Sequence, residues 1–222
     1  MNTEPLSTIF WVPGQIALVV RVFASRASKP MPRNIMVALR HPDCLSEIDL
    51  YVTNSMTRPI IDMMQKPCQE LESIRIGVQE IGLHGVALPF PEIRQVLSST
   101  NNLVDLRLSN IPNSIYFSPD DLVTALSTLV QLESLTVGFP SPASSPPSSI
   151  TPPPAQCITL PSLTFLDFHG TSEYLEEFVA RIDLPSLCNI AIKLFNQIFF
   201  ELPRFCQFIP HLNVLGSPTM FM

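Results

Sequence analysis

The chain has 222 residues, of which 46% are hydrophobic and 14% charged, and its formal net charge is −6 at pH 7. This composition excludes an intrinsically disordered chain, and the acidic balance leaves no basic footprint for nucleic acid or for an anionic membrane. No apolar run reaches the roughly 20 residues that a membrane span needs, and the N-terminus lacks the basic region of a signal peptide.

A leucine-led phrase, L-x-x-[LIV]-x-[LIVF], recurs along the chain and predicts its strands. An apolar, β-branched run near Ile16 precedes the phrase and predicts a further strand. The first leucines lie between 24 residues (Leu163 to Leu187) and 32 residues (Leu71 to Leu103) apart. A repeat of this period is the signature of a leucine-rich-repeat solenoid. The copies begin at Leu45, Leu71, Leu103, Leu132, Leu163 and Leu187, with a weaker last copy at Leu212.

Alternation within each copy decides which side chains enter the core. Leu106 and Leu108 point to one face of the predicted strand, whereas Asp105 and Arg107 point to the other. We therefore predict an α/β leucine-rich-repeat solenoid with about seven parallel strands in chain order. Its strands lie on the concave side, and helices or irregular loops lie on the convex side. The segments with helical patterns are 32–40, 57–66, 91–98, 118–129, 173–182 and 199–209.

Two segments depart from the repeat. At 77–90, either the strand that follows Leu71 runs on or a repeat has lost its connecting helix. A Pro/Ser-rich loop at about 140–156 replaces one crossover, because proline at this density forms no helix. The loop is read either as a tolerated surface insertion or as a regulatory segment with phosphate-accepting Ser-Pro and Thr-Pro pairs. The predicted domains are an N-terminal extension at 1–11 and a leucine-rich-repeat domain at 12–222.

The sequence offers no catalytic motif, so we expect no enzyme activity, no cofactor and no metal. The five cysteines are an odd number without a C-x-x-C pair, which indicates reduced thiols in a cytoplasmic or nuclear protein. No histidine has metal-ligand spacing, and there is no nucleophile elbow or phosphate-binding glycine loop. Glu173, Glu176 and Glu177 are interpreted as a solvated face in the opening turns of a helix.

What remains is a surface formed by the outward strand residues. Extended faces of this kind bind proteins in solenoids, and arginine and aromatic side chains are the best anchors. The alternative is that they are ordinary solvated strand residues. One predicted row contains Asp49, Arg75, Arg107, Thr136, Asp167 and Ala191, and a second contains Glu47, Ser73, Asp105, Ser134, Phe165 and Asn189. The candidate protein-binding residues are Asp49, Arg75, Asp105, Arg107, Thr136, Phe165 and Asp167.

Several longer phrases resemble the leucine-rich-repeat region of a large basidiomycete fungal family of F-box-like proteins. They include V-P-G-Q-I-A-L-V-V at 12–20, A-L-R-H-P-D at 38–43 and P-F-P-E-I-R-Q-V-L-S-S-T-N-N-L at 89–103. Others are Y-F-S-P-D-D-L-V-T at 116–124, L-P-S-L-T-F-L-D-F-H-G at 160–170 and E-Y-L-E-E-F-V-A-R-I-D-L-P at 173–185.

The resemblance implies a non-catalytic module that recognises substrate proteins for an F-box-type ubiquitin ligase. Family members begin with a short helical F-box that docks on the Skp1 adaptor, but residues 1–11 are too few to form one. We therefore expect a monomer that binds a protein partner and does not bind Skp1 directly. The alternatives are a stand-alone recognition or sensor repeat protein and a degenerate gene fragment unrelated to ubiquitination.

Overall fold

The computed structural model describes residues 6–11, 18–23, 33–41, 44–53, 60, 64, 68–79, 90–111, 117–140, 157–195 and 202–209. Its strands are β1 (Leu6–Trp11), β2 (Leu18–Phe23), β3 (Leu45–Thr53), β4 (Ser73–Gln79), β5 (Asp105–Ser109), β6 (Ser134–Gly138), β7 (Ile158–Thr159), β8 (Phe165–Gly170), β9 (Ile182–Asp183) and β10 (Asn189–Leu194). Its helices are α1 (Arg33–Leu39), α2 (Phe90–Ser98), α3 (Pro119–Leu126), α4 (Ser172–Val179) and α5 (Pro203–Phe208).

The main sheet has eight strands in the order β1-β2-β3-β4-β5-β6-β8-β10. Every neighbouring pair from β2 to β10 is parallel, so seven strands follow one another in chain order. A second, two-stranded parallel sheet joins β7 to β9. The predicted α/β class and the predicted strand order are both confirmed.

The repeat phrase sets the register between neighbouring strands. Residues at the same place in the phrase are direct partners across the sheet, as in Ile74↔Leu106 and Leu106↔Leu135. From Leu71 to Leu187 the leading leucines lie two residues before their strands, whereas Leu45 is the first residue of β3, and all six are completely buried. Because full burial of a leucine side chain stabilises the fold by about 1.5–3 kcal/mol, each copy both contributes to the core and fixes the alignment of the next strand.

Local signals fix the helix starts. α3 begins with a capping box in which the Ser118 hydroxyl accepts from the Asp121 backbone and Asp121 accepts from the Ser118 backbone, with Pro119 in the first turn. The helix predicted at 199–209 starts only at Pro203, because proline lacks the N–H that an interior position requires and suits the first turn. The helix predicted to reach Ile182 ends earlier, and Ile182 belongs to β9 instead.

An aromatic cluster closes the core beside β8. The Phe139 ring is tilted against that of Tyr174, with ring centroids 5.0 Å apart, and Phe168 stacks on the same ring at 5.7 Å. The cluster packs closely around Gly170, where an added Cβ would lie 2.6 Å from the Phe168 ring and 3.2 Å from the Phe139 ring. Gly170 is therefore a packing requirement of the aromatic cluster.

The sheet begins earlier in the chain than the sequence predicted. Residues 6–11, assigned to an extension that ends before residue 12, form β1 and pair antiparallel with β2. The run from Thr8 to Trp11 is β-branched and aromatic, which favours a strand although it does not match the repeat phrase. In the irregular segment, β4 runs on to Gln79. Residues 80–89, most of the predicted helix at 57–66, the Pro/Ser-rich loop at 141–156 and the weak copy at Leu212 lie outside the described residues.

Candidate functional site

The strand side chains that point away from the core form one surface, here called the open face. The helices pack against the other side of the sheet, where their apolar residues join the inner strand residues in a single core cluster. One open-face row follows the register Asp49↔Arg75↔Arg107↔Thr136↔Asp167. The other follows Glu47↔Ser73↔Asp105↔Ser134↔Phe165. The structure thus brings all seven predicted residues onto one face, while their role in binding stays a prediction.

The charged side chains of β2 to β5 form a ladder of ion pairs across four strands. Arg21 Nη2 lies 3.0 Å from Glu47 Oε1, and Arg75 Nη1 lies 3.4 Å from the same oxygen. Arg75 also donates through Nε and Nη2 to Asp105 Oδ2, at 3.2 and 3.1 Å. Arg107 Nε completes the series 3.2 Å from Asp105 Oδ1. This charge ladder (Arg21, Glu47, Arg75, Asp105 and Arg107) neutralises most of its own charge.

Asp49 lies inside the ladder region, between Arg21 and Arg75 in its row. Burial raises the pKa of its carboxyl group, although Arg75, Arg21 and Arg107 act in the opposite direction and Glu47 reinforces the rise. Dehydration therefore outweighs the attraction of the three guanidinium groups. The arginines around Asp49 only partly offset the dehydration of its carboxylate. We therefore expect Asp49 to contribute little to the binding of a partner.

The open face changes character from β6 onwards. Phe165 is 36% exposed and is the one aromatic side chain among the exposed large hydrophobic residues of the described chain. Its row neighbours are the small polar residues Ser134 and Asn189. Asp167, two residues along the same strand and half-buried, forms no ion pair with any described residue. This half of the face combines an uncovered aromatic ring with an uncompensated carboxylate.

A third row borders the open face at the carboxyl ends of the strands. The Tyr51 ring lies over Gly77, where an added Cβ would be 2.5 Å from Tyr51 Cδ2, and Asn110 Nδ2 donates to Tyr51 Oη at 3.4 Å. At the other end, the rings of His169 and Phe195 are 4.9 Å apart. Burial lowers the pKa of His169, helped by nearby Lys193 and opposed by Asp167, which favours the neutral form of the ring.

Of the three glutamates of α4 that the sequence assigned to a solvated face, Glu173 is exposed, whereas Glu176 and Glu177 are half-buried. The Glu176 carboxylate accepts hydrogen bonds from the backbone N–H groups of Arg204 and Phe205, both at 2.9 Å, so it caps α5. Arg181 was missed in the sequence although its side chain is only 3% exposed. Its guanidinium donates to Asp120 of α3 and to the carbonyl of Glu177. These contacts join helices and point to no acid–base chemistry.

The described residues contain no group of three His, Cys, Asp or Glu side chains that could hold a metal ion. An apolar cavity of about 10 Å³ lies among Ile48, Leu50, Met64, Ile74, Ile76, Ile93, Val96 and Leu97, and it has no polar lining with which to hold a water molecule. None of the helices in the described part of the chain is long and apolar enough to cross a membrane.

The structure defines the class of protein by its topology: parallel strands in chain order, joined by a leucine ladder, form an α/β leucine-rich-repeat solenoid. The chain is similar to the solved structure of the leucine-rich repeat-containing protein LegL7 from Legionella pneumophila, with 19% identity and a TM-score of 0.42. The match covers 75% of this chain and 53% of that one, so the chain spans about half the length of LegL7. No family model matches the chain, and no curated protein matches it. The resemblance to fungal F-box-like proteins therefore stays a prediction.

Proposed function

We propose that this chain is a non-catalytic protein-binding module and that the open face is its recognition surface. The observation that carries the proposal is the in-register row of outward side chains that runs from Asp49 to Asp167, which no helix of the described residues covers. Because the leucine ladder holds these strands rigidly, little conformational entropy is lost when a partner docks. Phe165 supplies an exposed aromatic anchor of the type that dominates binding energy at protein interfaces.

The finer role that we propose is recognition of a substrate protein for an F-box-type ubiquitin ligase. Its support is the resemblance of the phrases at 89–103, 116–124, 160–170 and 173–185 to fungal F-box-like proteins. In this role the repeats hold the substrate, and an F-box recruits the ligase. The chain itself is expected to act as a monomer.

Bulky substitutions on either side of the sheet test whether the partner binds the open face or the helical side. Thr136 lies at the centre of the open face, so Thr136→Arg places a long side chain in the middle of the proposed interface. Val130 is 52% exposed in the turn that follows α3, and Val130→Arg is the matched control on the helical side. A partner identified by affinity capture is purified, and its dissociation constant is measured with the wild-type chain and both variants.

We expect Thr136→Arg to weaken binding by at least about tenfold, or about 1.4 kcal/mol, and Val130→Arg to leave it unchanged. The opposite pattern would move the recognition surface to the helices. For the ligase role, the partner's half-life in cells should lengthen with Thr136→Arg and not with Val130→Arg. An unchanged half-life, with binding lost, would favour a recognition protein that acts outside ubiquitination.

A further inference from the structure

The two halves of the open face have unequal capacity to bind a partner. In the charge ladder, Arg75 is engaged by Glu47 on one side and by Asp105 on the other. A partner that approaches this half must break existing ion pairs before it forms new ones, so charges here contribute selectivity more than affinity. The outward side chains of β6, β8 and β10 are better placed to bind a partner, because they are not engaged in this charge ladder.

The chemistry of this second half is defined by two side chains on β8. Phe165 and Asp167 are separated by one residue and point to the same side of the sheet, about 7 Å apart along the strand. The neighbours of Asp167 in its row are Thr136 and Ala191, which are short and uncharged. The ring and the carboxylate are therefore accessible from the same direction, without a bulky side chain between them.

The other charges around this point are few. Lys193 lies one row away, on β10, and no ion pair joins it to Asp167 among the described residues. His169, its partner in that row, packs against the Phe195 ring. The chain as a whole carries a net charge of −6, which attracts cationic segments at long range.

We propose, on the basis of the function proposed above, that the β8 half of the open face binds an extended protein segment through an arginine side chain. The guanidinium group stacks on the Phe165 ring and pairs with the Asp167 carboxylate. A planar cation satisfies both groups at once, because it is attracted to an aromatic face and forms forked hydrogen bonds to a carboxylate. Lysine fits less well, since its ammonium group is a strongly hydrated point charge.

A short random-peptide library displayed on phage, selected against the purified chain, provides defined probes. We expect the selected peptides to be enriched in arginine relative to the input library. In a synthetic copy of the tightest peptide, replacing this arginine by glutamine should weaken binding to the wild-type chain by about tenfold.

Two variants of the chain locate the contact. Asp167→Asn should weaken binding of the arginine peptide by about tenfold but should leave binding of the glutamine peptide unchanged. The two changes are then coupled in a double-mutant cycle. Phe165→Leu keeps an apolar side chain but removes the aromatic face, and it should also discriminate against arginine. Asp183→Asn on β9, which removes the same charge away from the open face, is the control and should bind like the wild type.

The outcomes separate this inference from the function on which it rests. Peptides without arginine that still fail to bind Thr136→Arg would overturn the arginine site and keep the open face as the binding surface. Peptides that bind Thr136→Arg as tightly as the wild type would overturn both. Failure to select any peptide, or additive effects of Asp167→Asn and the peptide change, would likewise contradict the arginine site.

Discussion

The charge ladder predicts that two neighbouring arginines differ in their contribution to stability. Arg75 is 33% exposed and contacts Glu47 and Asp105, whose side chains are 20% and 16% exposed. Arg107 is 48% exposed and, among the described residues, forms an ion pair with Asp105 alone. Replacement by methionine removes the charge and keeps most of the aliphatic stem. An exposed ion pair is worth about 0.2–1 kcal/mol, whereas a hydrogen bond to a charged, partly buried group is worth about 1.5–3 kcal/mol.

We therefore expect Arg75→Met to lower the free energy of unfolding by about 2 kcal/mol, because it leaves two partly dehydrated carboxylates without their shared cation. Arg107→Met should lower it by about 0.5 kcal/mol. Urea denaturation followed by circular dichroism at pH 7 measures both values. Equal losses in the two variants would refute the reasoning, since they would mean that Arg75 does not bridge the strands. Charge reversal at Arg75 is also a poor binding test, because it destabilises the ladder itself.

Three further predictions concern stability. Leu106→Asp should lower the free energy of unfolding by roughly 3 kcal/mol or more, because the apolar core around this position offers the carboxylate no partner. A small loss of stability in urea denaturation would contradict the strand register. Gly170→Ala should lower the free energy of unfolding by about 1–3 kcal/mol, because the added Cβ collides with Phe168. Gly138→Ala should be nearly neutral in the same assay, because its added Cβ would lie 3.7 Å from the nearest atom, His169 Cβ. Asp49→Asn should stabilise the fold at pH 7, since burial raises the pKa of this carboxyl group above its ordinary 3.8. That gain should vanish at pH values below 3.8, where both folded and unfolded chains are protonated; a gain that persists there would exclude the carboxylate as its source.

The repeating part of the fold could be predicted because its information is local. A strand period of two, within a fixed phrase, decides which residues face inward, and equal phrases then align in register. The two open-face rows, including Arg75 and Arg107, follow from this rule alone. Even the charge ladder has a sequence signal, since the acidic residues Glu47 and Asp105 occupy one outward place of the phrase, and the basic residues Arg75 and Arg107 occupy the other.

Contacts between distant parts of the chain could not be predicted in the same way. Arg181 reaches Asp120 across 61 residues, and Glu176 caps a helix that starts at Pro203. Neither pairing leaves a periodic pattern, because each depends on where the helices pack. β1 was missed for a related reason: Leu6–Trp11 is antiparallel to the repeats and carries none of their phrase.

The binding footprint on the chain tests the central claim most directly. Amide chemical shifts of the nitrogen-15-labelled chain are recorded while the purified, unlabelled partner protein is added. We expect the shifts to change at the open-face positions of β6 and β8, including Thr136, Phe165 and Asp167, while those of α3 and α4 stay constant. Changes confined to α3 and α4, on the opposite side of the sheet, would contradict the assignment of the open face as the recognition surface.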